Sequence, residues 1–331
     1  MSFADPKMQA LLKKQKYQIS GKNTAVKKCG WTHNSLREDR YCYKHFYGIK
    51  SHQCIQFSPV LICNFLCKFC WRIHESDIGV ENMFRQYDPQ DQERLTEIFD
   101  SPKDVVDALF VSQQRIICGY KPYVSTLKYD EAMKPKHATL SLTGEPFLYP
   151  WIPELIDELK SRNLTVFIVT NGSVPSTLRS ILEKQAYPTQ LYITLPTPGV
   201  KNFLSVHRPL EKEKALENIY ESLKIIGEGV PFRTVARLTV AEGLNLIDPE
   251  GYAEMITGIM KPSFVEVKGV VHVGAAEKRL PRTAMPSHSR IMEFAKQLEN
   301  LTDYKIVAES EVSRLVILSN ETDPLLIPEL S

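Results

Sequence analysis

From about residue 57 onward, short apolar runs rich in β-branched residues alternate with longer stretches whose apolar positions recur every three or four residues. The runs cover residues 57–62, 137–142, 164–169, 190–195, 232–240 and 264–268. Helical periodicity lies between them, near residues 103–117, 151–161, 175–184, 211–228 and 249–260. Strands and helices alternating at this spacing predict βαβ units on a parallel sheet. Six right-handed repeats curl into an open, partial (β/α)6 barrel more naturally than they close an eight-stranded one. The predicted fold class is therefore α/β, a TIM-like partial barrel over residues 57–285. A charged segment near 75–100 lacks periodicity. A last helix near 288–301 and apolar runs at 304–308 and 314–319 predict a short C-terminal extension, residues 286–331, packed on the barrel.

Upstream of the barrel the pattern is different. Residues 6–17 predict a short basic helix, with Asp5 as N-cap and Pro6 at the first helical position. From residue 21 to 56 the chain is polar, basic and aromatic-rich, and it has little to build a core of its own. Residues 1–56 are accordingly expected to form an extension that other bonds must hold in place.

Sites in parallel α/β proteins form at the C-terminal ends of strands. The first predicted strand ends at Cys63, the second at Thr143-Gly144-Glu145, the third at Thr170-Asn171-Gly172 and the fourth at Thr194. Polar or metal-ligating residues at four successive ends predict one shared site.

Composition adds three constraints. The 331 residues are 43% hydrophobic and 24% charged, which suits a globular protein with a sizeable core. No apolar run approaches the ~18 residues of a membrane span, and the N-terminus lacks the apolar stretch of a signal peptide, so a cytoplasmic location is expected. The formal charge of +2 hides an asymmetry, because residues 1–50 hold eleven Lys/Arg against three Asp/Glu. That excess reads either as a solvated leader or as a footprint for a polyanion.

Six of the seven cysteines lie between Cys29 and Cys70. In a reducing compartment, clustered thiols are metal ligands or catalytic groups more often than disulfides. Cys118, in an apolar run, is expected to be a buried structural thiol. Cys63, Cys67 and Cys70 form C-x3-C-x2-C, one ligand short of the four that zinc takes, with His74 the nearest candidate for a fourth. A [4Fe–4S] cluster accommodates three thiolates and leaves one iron open, so the spacing favours a cluster. Cys29, Cys42 and Cys54, separated by 13 and 12 residues, are again three. They read as a second three-thiolate cluster or as unrelated buried thiols, and a polar segment offers few neighbours to bury them.

C-x3-C-x2-C after the first strand, with Phe69 just before the third cysteine, resembles the signature of the radical S-adenosylmethionine (SAM) superfamily. The resemblance implies that SAM chelates the open iron and is cleaved on reduction to a 5′-deoxyadenosyl radical. T-G-E-P (Thr143, Gly144, Glu145, Pro146) resembles the family motif that holds the SAM amino group. A carboxylate suits an ammonium, and glycine permits close backbone approach. Asn171 and Thr194 are further candidates for SAM contacts, or else cap and turn residues.

With the upstream segment included, the resemblance narrows to the tRNA 4-demethylwyosine synthase family. It is carried by A-V-K-K-C-G-W-T-H-N-S-L, Y-C-Y-K-H-F-Y-G-I, H-Q-C-I-Q-F-S-P, C-N-F-L-C-K-F-C-W-R, L-T-G-E-P-F-L-Y-P, Q-L-Y-I-T-L, F-V-E-V-K-G and A-M-P-S-H, over about residues 10–320. Members commonly read S-L-D-A-P where this chain has Thr194-Leu195-Pro196-Thr197-Pro198, and the acidic residue is missing here. The segment before Cys54 is one residue shorter than usual, and A-A-E-K-R (275–279) replaces an expected serine–arginine pair.

The resemblance implies two [4Fe–4S] clusters, on Cys63, Cys67 and Cys70 and on Cys29, Cys42 and Cys54. It implies N1-methylguanosine-37 in the anticodon loop of tRNA(Phe) as substrate and pyruvate as two-carbon donor. The radical takes hydrogen from the N-methyl group, the carbon radical attacks the pyruvate carbonyl, and loss of C1 with ring closure gives the tricyclic base. Lys44 matches the lysine that forms a Schiff base with pyruvate, the alternative being a phosphate-facing lysine. Trp31, Tyr41, Tyr43, Phe46 and Tyr47 are candidates for stacking on unpaired bases or for core packing. An external electron donor is expected, because eukaryotic relatives carry a flavodoxin-like domain and none is present here. A monomer is expected. Lys268 and His272 receive no role beyond pocket lining. Two other classes remain open: another radical SAM RNA-modifying enzyme such as a methylthiotransferase, and a zinc-dependent RNA-binding protein.

Overall fold

Residues 5–321 and 325–327 are described by a computed structural model; the outermost residues of both extensions lie outside it. Ten strands form one sheet in the order β1-β2-β3-β4-β5-β6-β7-β8-β10-β9. They are β1 (Gln18–Ser20), β2 (Thr24–Val26), β3 (Cys54–Ser58), β4 (His137–Leu140), β5 (Thr165–Thr170), β6 (Gln190–Thr194), β7 (Arg233–Val240), β8 (Phe264–Gly269), β9 (Lys305–Ser310) and β10 (Leu315–Ser319). β3 to β8 pair in parallel and in chain order, the arrangement expected of an open (β/α)6 barrel. β1 and β2 extend one edge antiparallel, and β10 and β9 extend the other.

Side-chain alternation sorts the two faces. Ile55, Phe57, Ala138, Leu140, Val166, Ile168, Leu191, Ile193, Ala236, Leu238, Val265 and Val267 belong to the main core beneath the helices. The helices Pro102–Cys118, Ile152–Ser161, Pro175–Glu183, Lys212–Gly227 and His288–Leu301 supply the other half of that layer. The intervening strand positions turn to the concave side, where Phe167, Tyr192, Val235 and Phe264 join a separate cluster with Tyr43, Tyr47 and Ile49 of the upstream segment. The basic extension thus packs Tyr43 and Tyr47 into the barrel.

Four details differ from the sequence expectations. The first barrel strand covers Cys54–Ser58 rather than 57–62, because Pro59 cannot donate to the ladder and ends it. Residues 59–62 then run as a connection to Cys63. Cys118 is exposed, not buried, because the buried stripe of its helix ends at Ile117. The helix near 249–260 is α only over Pro249–Ala253 and π over Glu254–Met260. The segment 75–100, without periodicity in sequence, holds two 3₁₀ turns and the helix Gln92–Ile98. No helix among the described residues is long and apolar enough to cross a membrane.

A buried ionic network fills the concave side. The Arg237 guanidinium donates to Glu266 and to the Tyr43 hydroxyl, and Tyr47 Oη donates to Glu266 Oε1 at 2.9 Å. Glu266 is fully buried. The pair joins β7 and β8 to the 3₁₀ segment Tyr43–Tyr47, so it fixes where Lys44 enters the barrel. Glu266→Ala strands the Arg237 charge and is expected to cost about 3–5 kcal/mol in urea unfolding. Pairing it with Arg237→Met is expected to recover most of that loss, since no buried charge then remains unpaired.

Candidate active site at the two ends of the barrel

Cys63, Cys67 and Cys70 lie on the loop that follows β3 at the C-terminal edge of the parallel sheet. Backbone bonds lace this loop to the end of the helix Val200–His207 and the residues after it: Leu66 N–H to Arg208 O at 3.1 Å, Lys68 N–H to Val206 O at 2.9 Å and Leu210 N–H to Asn64 O at 2.9 Å. From the far side, Arg279 Nη1 donates to the carbonyls of Cys67 (3.0 Å) and Cys70 (2.7 Å). Its Nη2 donates to Arg72 O and, at 2.9 Å, to Asp77 Oδ2. Gly274, at φ +62°, lets its strand-end segment lie against Trp71, whose carbonyl a Cβ there would meet at 2.6 Å. The loop is therefore clamped on both sides before any ligand arrives.

The three thiols are free. Burial pushes Cys63 and Cys67 well up, with Glu145 and Cys67 adding to the effect at Cys63 and Cys70 adding to it at Cys67. Neighbouring sulfurs that raise one another, far from water, are poor thiolates by themselves and good ligands for a cationic metal group, which reverses that cost. Among the described residues no three Cys, His, Asp or Glu side chains meet as closely as ligands of a single ion. Three thiols on one short loop match in number and kind the ligands that a [4Fe–4S] cluster takes when one iron is left open.

The next strand ends close over this loop. Gly144 sits at φ +70°, and a Cβ there would meet Val60 O at 2.4 Å and Ile62 O at 2.7 Å, so only glycine allows the two loops to touch. Thr143 N–H donates to Ser58 Oγ at 2.7 Å. The buried Glu145 carboxylate accepts from Phe147 N–H (3.0 Å), Asn171 N–H (2.8 Å) and the Thr170 hydroxyl. Burial still pushes Glu145 up to about 7, despite those donors. A cation brought beside it favours the ionised form. Asn171 Nδ2 donates to Asn64 Oδ1 at 2.9 Å, and Asn64 Nδ2 donates to Ser173 Oγ at 2.7 Å, which ties the end of β5 to the cysteine loop. Thr194 is half-buried at the end of β6, in register with Arg237. Phe69 packs with Ala241, Val270, Leu280 and Ala284.

The upstream thiols occupy the opposite edge. Cys54 is the first residue of β3, Cys42 precedes the segment Tyr43–Tyr47, and Cys29 caps the helix Gly30–Glu38. Burial pushes Cys29 up, opposed by the Trp31 and Thr32 amides at the helix N-terminus. Burial takes Cys42 up to about 12, with Lys44 opposing and Cys29 adding to the shift. Ser51 Oγ accepts from Cys42 N–H at 2.9 Å, and Thr139 Oγ1 lies 3.3 Å from Cys54 Sγ.

Lys44 follows from this packing. Its Nζ donates to the same Thr139 hydroxyl at 3.4 Å and sits over the rings of Phe167 (4.8 Å) and Tyr192 (5.2 Å). Burial lowers its pKa, and Cys54 and Cys42 oppose that shift. The amine thus lies on the concave side, beside two of the upstream thiols and away from solvent. Of the aromatic candidates for base stacking, Tyr43 and Tyr47 are buried in the barrel, while Trp31, Tyr41 and Phe46 remain half-buried.

Sequence reasoning missed Thr139, Asn64, Ser173, His207 and Arg279. Asn64 lies inside the cysteine motif and was open to notice. His207 and Arg279 reach Cys67 from 140 and 212 residues away, which no spacing reveals.

Residues 57–256 match the family model for the radical SAM superfamily, and residues 259–320 match that for wyosine base formation. The chain is thus a radical SAM protein, which uses SAM and a [4Fe–4S] cluster. It is 41% identical to the S-adenosyl-L-methionine-dependent tRNA 4-demethylwyosine synthase of Pyrococcus abyssi, over 95% of this chain and 89% of that one. A solved structure of TYW1 with a lysine–pyruvate adduct bound superposes with a TM-score of 0.83 at 33% identity, covering 97% of this chain and 99% of that one. A crystal structure of archaeal TYW1 gives 0.74 at 31% identity, with the same coverage. The chain belongs to the tRNA 4-demethylwyosine synthase family.

Proposed function

We propose that this chain condenses the N1-methylguanosine at position 37 of phenylalanine tRNA with pyruvate to form 4-demethylwyosine, as a monomer that draws its electron from an external donor. What carries this is the placement of Lys44, whose amine enters the barrel interior from the end opposite the Cys63 loop. Cys63, Cys67 and Cys70 hold the cluster that takes SAM. Cys29, Cys42 and Cys54 would hold a second [4Fe–4S] cluster, which would supply an iron able to chelate pyruvate. On this reading residues 1–56 are the extension that carries the second cluster, residues 57–285 the barrel and residues 286–331 a C-terminal extension.

A [4Fe–4S] cluster held by Cys63, Cys67 and Cys70 would, with SAM and one electron, supply the 5′-deoxyadenosyl radical that takes a hydrogen atom from the N-methyl group. This chain's residues do the rest by placement. The loop of Thr143, Gly144 and Glu145 receives the SAM ammonium, with Glu145 oriented by Phe147, Thr170 and Asn171. Asn171, Thr194 and Phe69 border the same end. Lys44, whose burial favours the neutral amine, attacks the pyruvate ketone, and water leaves as the C=N bond forms. The N-methyl carbon radical adds to that carbon, and scission of the pyruvate C1–C2 bond restores C=N. C1 is expelled as the carboxyl radical anion, which would leave as CO2 on returning its electron to a cluster. The guanine exocyclic amine displaces the Lys44 amine to close the ring, with loss of a proton from the former methyl carbon. Exposed Lys13, Lys14, Lys16, Lys28 and Arg37 give the upstream segment a cationic surface for anticodon-loop phosphates.

The test is anaerobic incubation of reconstituted protein with SAM, pyruvate, dithionite and N1-methylguanosine-containing tRNA, followed by nucleoside mass analysis. The expected outcome is the tricyclic nucleoside with label from pyruvate. Formation of 5′-deoxyadenosine without any labelled nucleoside refutes the assigned substrates, and a colourless zinc protein refutes both clusters.

A further inference from the structure

His207 is a buried imidazole that the proposed reaction leaves without a role. It closes the helix Val200–His207 and is 3% exposed. Its Nε2 lies 3.1 Å from the Thr197 backbone nitrogen and 3.1 Å from Thr197 Oγ1. A backbone N–H only donates, so Nε2 must be the bare nitrogen that accepts from it. An imidazole with a bare Nε2 is neutral and carries its proton on Nδ1. That Nδ1 lies 3.9 Å from Cys67 Sγ. The ring cannot turn away easily, because Phe203 stacks on it at 5.2 Å and Phe69 meets it edge-on at 5.3 Å.

We infer that His207 is a positioning residue whose Nδ1–H donates to the Cys67 thiolate and makes the SAM-binding cluster easier to reduce. This rests on Cys67 being a ligand of that cluster, as proposed above. Reduction places an extra electron on the cluster and its sulfur ligands. A donor aimed at one of those sulfurs stabilises the reduced state more than the oxidised one. Arg279, bonded to the Cys67 and Cys70 carbonyls, adds positive charge from the other side. The pattern has three members: Thr197 sets the tautomer, His207 transmits it, and Cys67 receives it.

The experiment follows the EPR signal that changes on adding SAM, in the full reconstituted chain under electrochemical poise. His207→Phe keeps the ring and removes the donor. It is expected to lower the reduction equilibrium about tenfold, a midpoint about 59 mV more negative for one electron. His207→Asn, whose amide places an N–H near the former Nδ1, is expected to recover part of the shift. An unchanged midpoint in iron-replete His207→Phe overturns the inference. Should that variant lose its iron, reduced unmutated chain with 15N-labelled histidine decides: pulsed EPR shows one imidazole 15N coupling in the SAM-responsive signal, and its absence overturns the inference. A SAM-responsive signal that survives Cys67→Ala overturns the ligand assignment itself, which separates failure of that premise from failure of the hydrogen bond.

Discussion

Lys44→Ala is expected to keep both clusters and SAM cleavage while tricycle formation falls by at least about 10²-fold. The separation follows from what Lys44 touches. Its side chain reaches Thr139, Phe167 and Tyr192 on the concave side. The Cys42 sulfur is approached instead by the Lys44 backbone N–H, at 3.3 Å, and alanine keeps that group. Nothing on the Cys63 loop depends on the lysine. The measurements are iron content, 5′-deoxyadenosine formed and nucleoside product, taken on the same preparation. Unmutated protein treated with pyruvate and cyanoborohydride should carry the reduced imine on the peptide containing Lys44. Product at the unmutated level in Lys44→Ala would remove the Schiff base from the mechanism.

The barrel was legible because both of its periods were. Runs such as 190–195 alternate with stretches such as 211–228, and the observed β6 and the helix Lys212–Gly227 fall within a residue or two of them. The Cys63 loop was legible because its three cysteines lie within eight residues. The first strand was misplaced because Val60, Leu61 and Ile62 are as apolar as a strand, and periodicity does not register that Pro59 has already ended the ladder. The helix Gly30–Glu38 was missed for a related reason: only Thr32, Ser35 and Leu36 are buried in it, so its inner face is mostly polar.

The site was half legible. A rule that puts active sites at strand C-termini pointed to Thr143, Gly144, Glu145, Asn171 and Thr194, of which the structure joins Glu145 to Asn171. It says nothing of the other end, where Cys54 opens β3 and Lys44 enters beneath Phe167 and Tyr192. Cys54 was reached instead by counting three upstream thiols, and Lys44 by family resemblance. Their physical logic appears only once β7 and β8 bring Arg237 and Glu266 against Tyr43 and Tyr47. Partners that distant in sequence leave no periodic trace.

The two thiol triplets should fail in opposite ways. Replacing Cys63, Cys67 and Cys70 by alanine is expected to lower iron from about eight to about four per chain and to abolish 5′-deoxyadenosine formation altogether. Replacing Cys29, Cys42 and Cys54 should remove the same amount of iron yet leave SAM cleavage running without tricyclic product. Cooperation between the triplets could blur this contrast only if one site held up the other. The Cys63 loop, however, is held by Arg279, by the Val206 and Arg208 carbonyls, and by the close approach of Gly144. The upstream thiols are held by Ser51, the helix Gly30–Glu38 and the first residues of β3. No support residue is common to both lists, so each triplet should survive loss of the other. Iron assay, EPR with and without SAM, and product analysis on both triple variants check the contrast. SAM cleavage that disappears with the upstream triplet would mean that the two ends of the barrel do not act as separate sites.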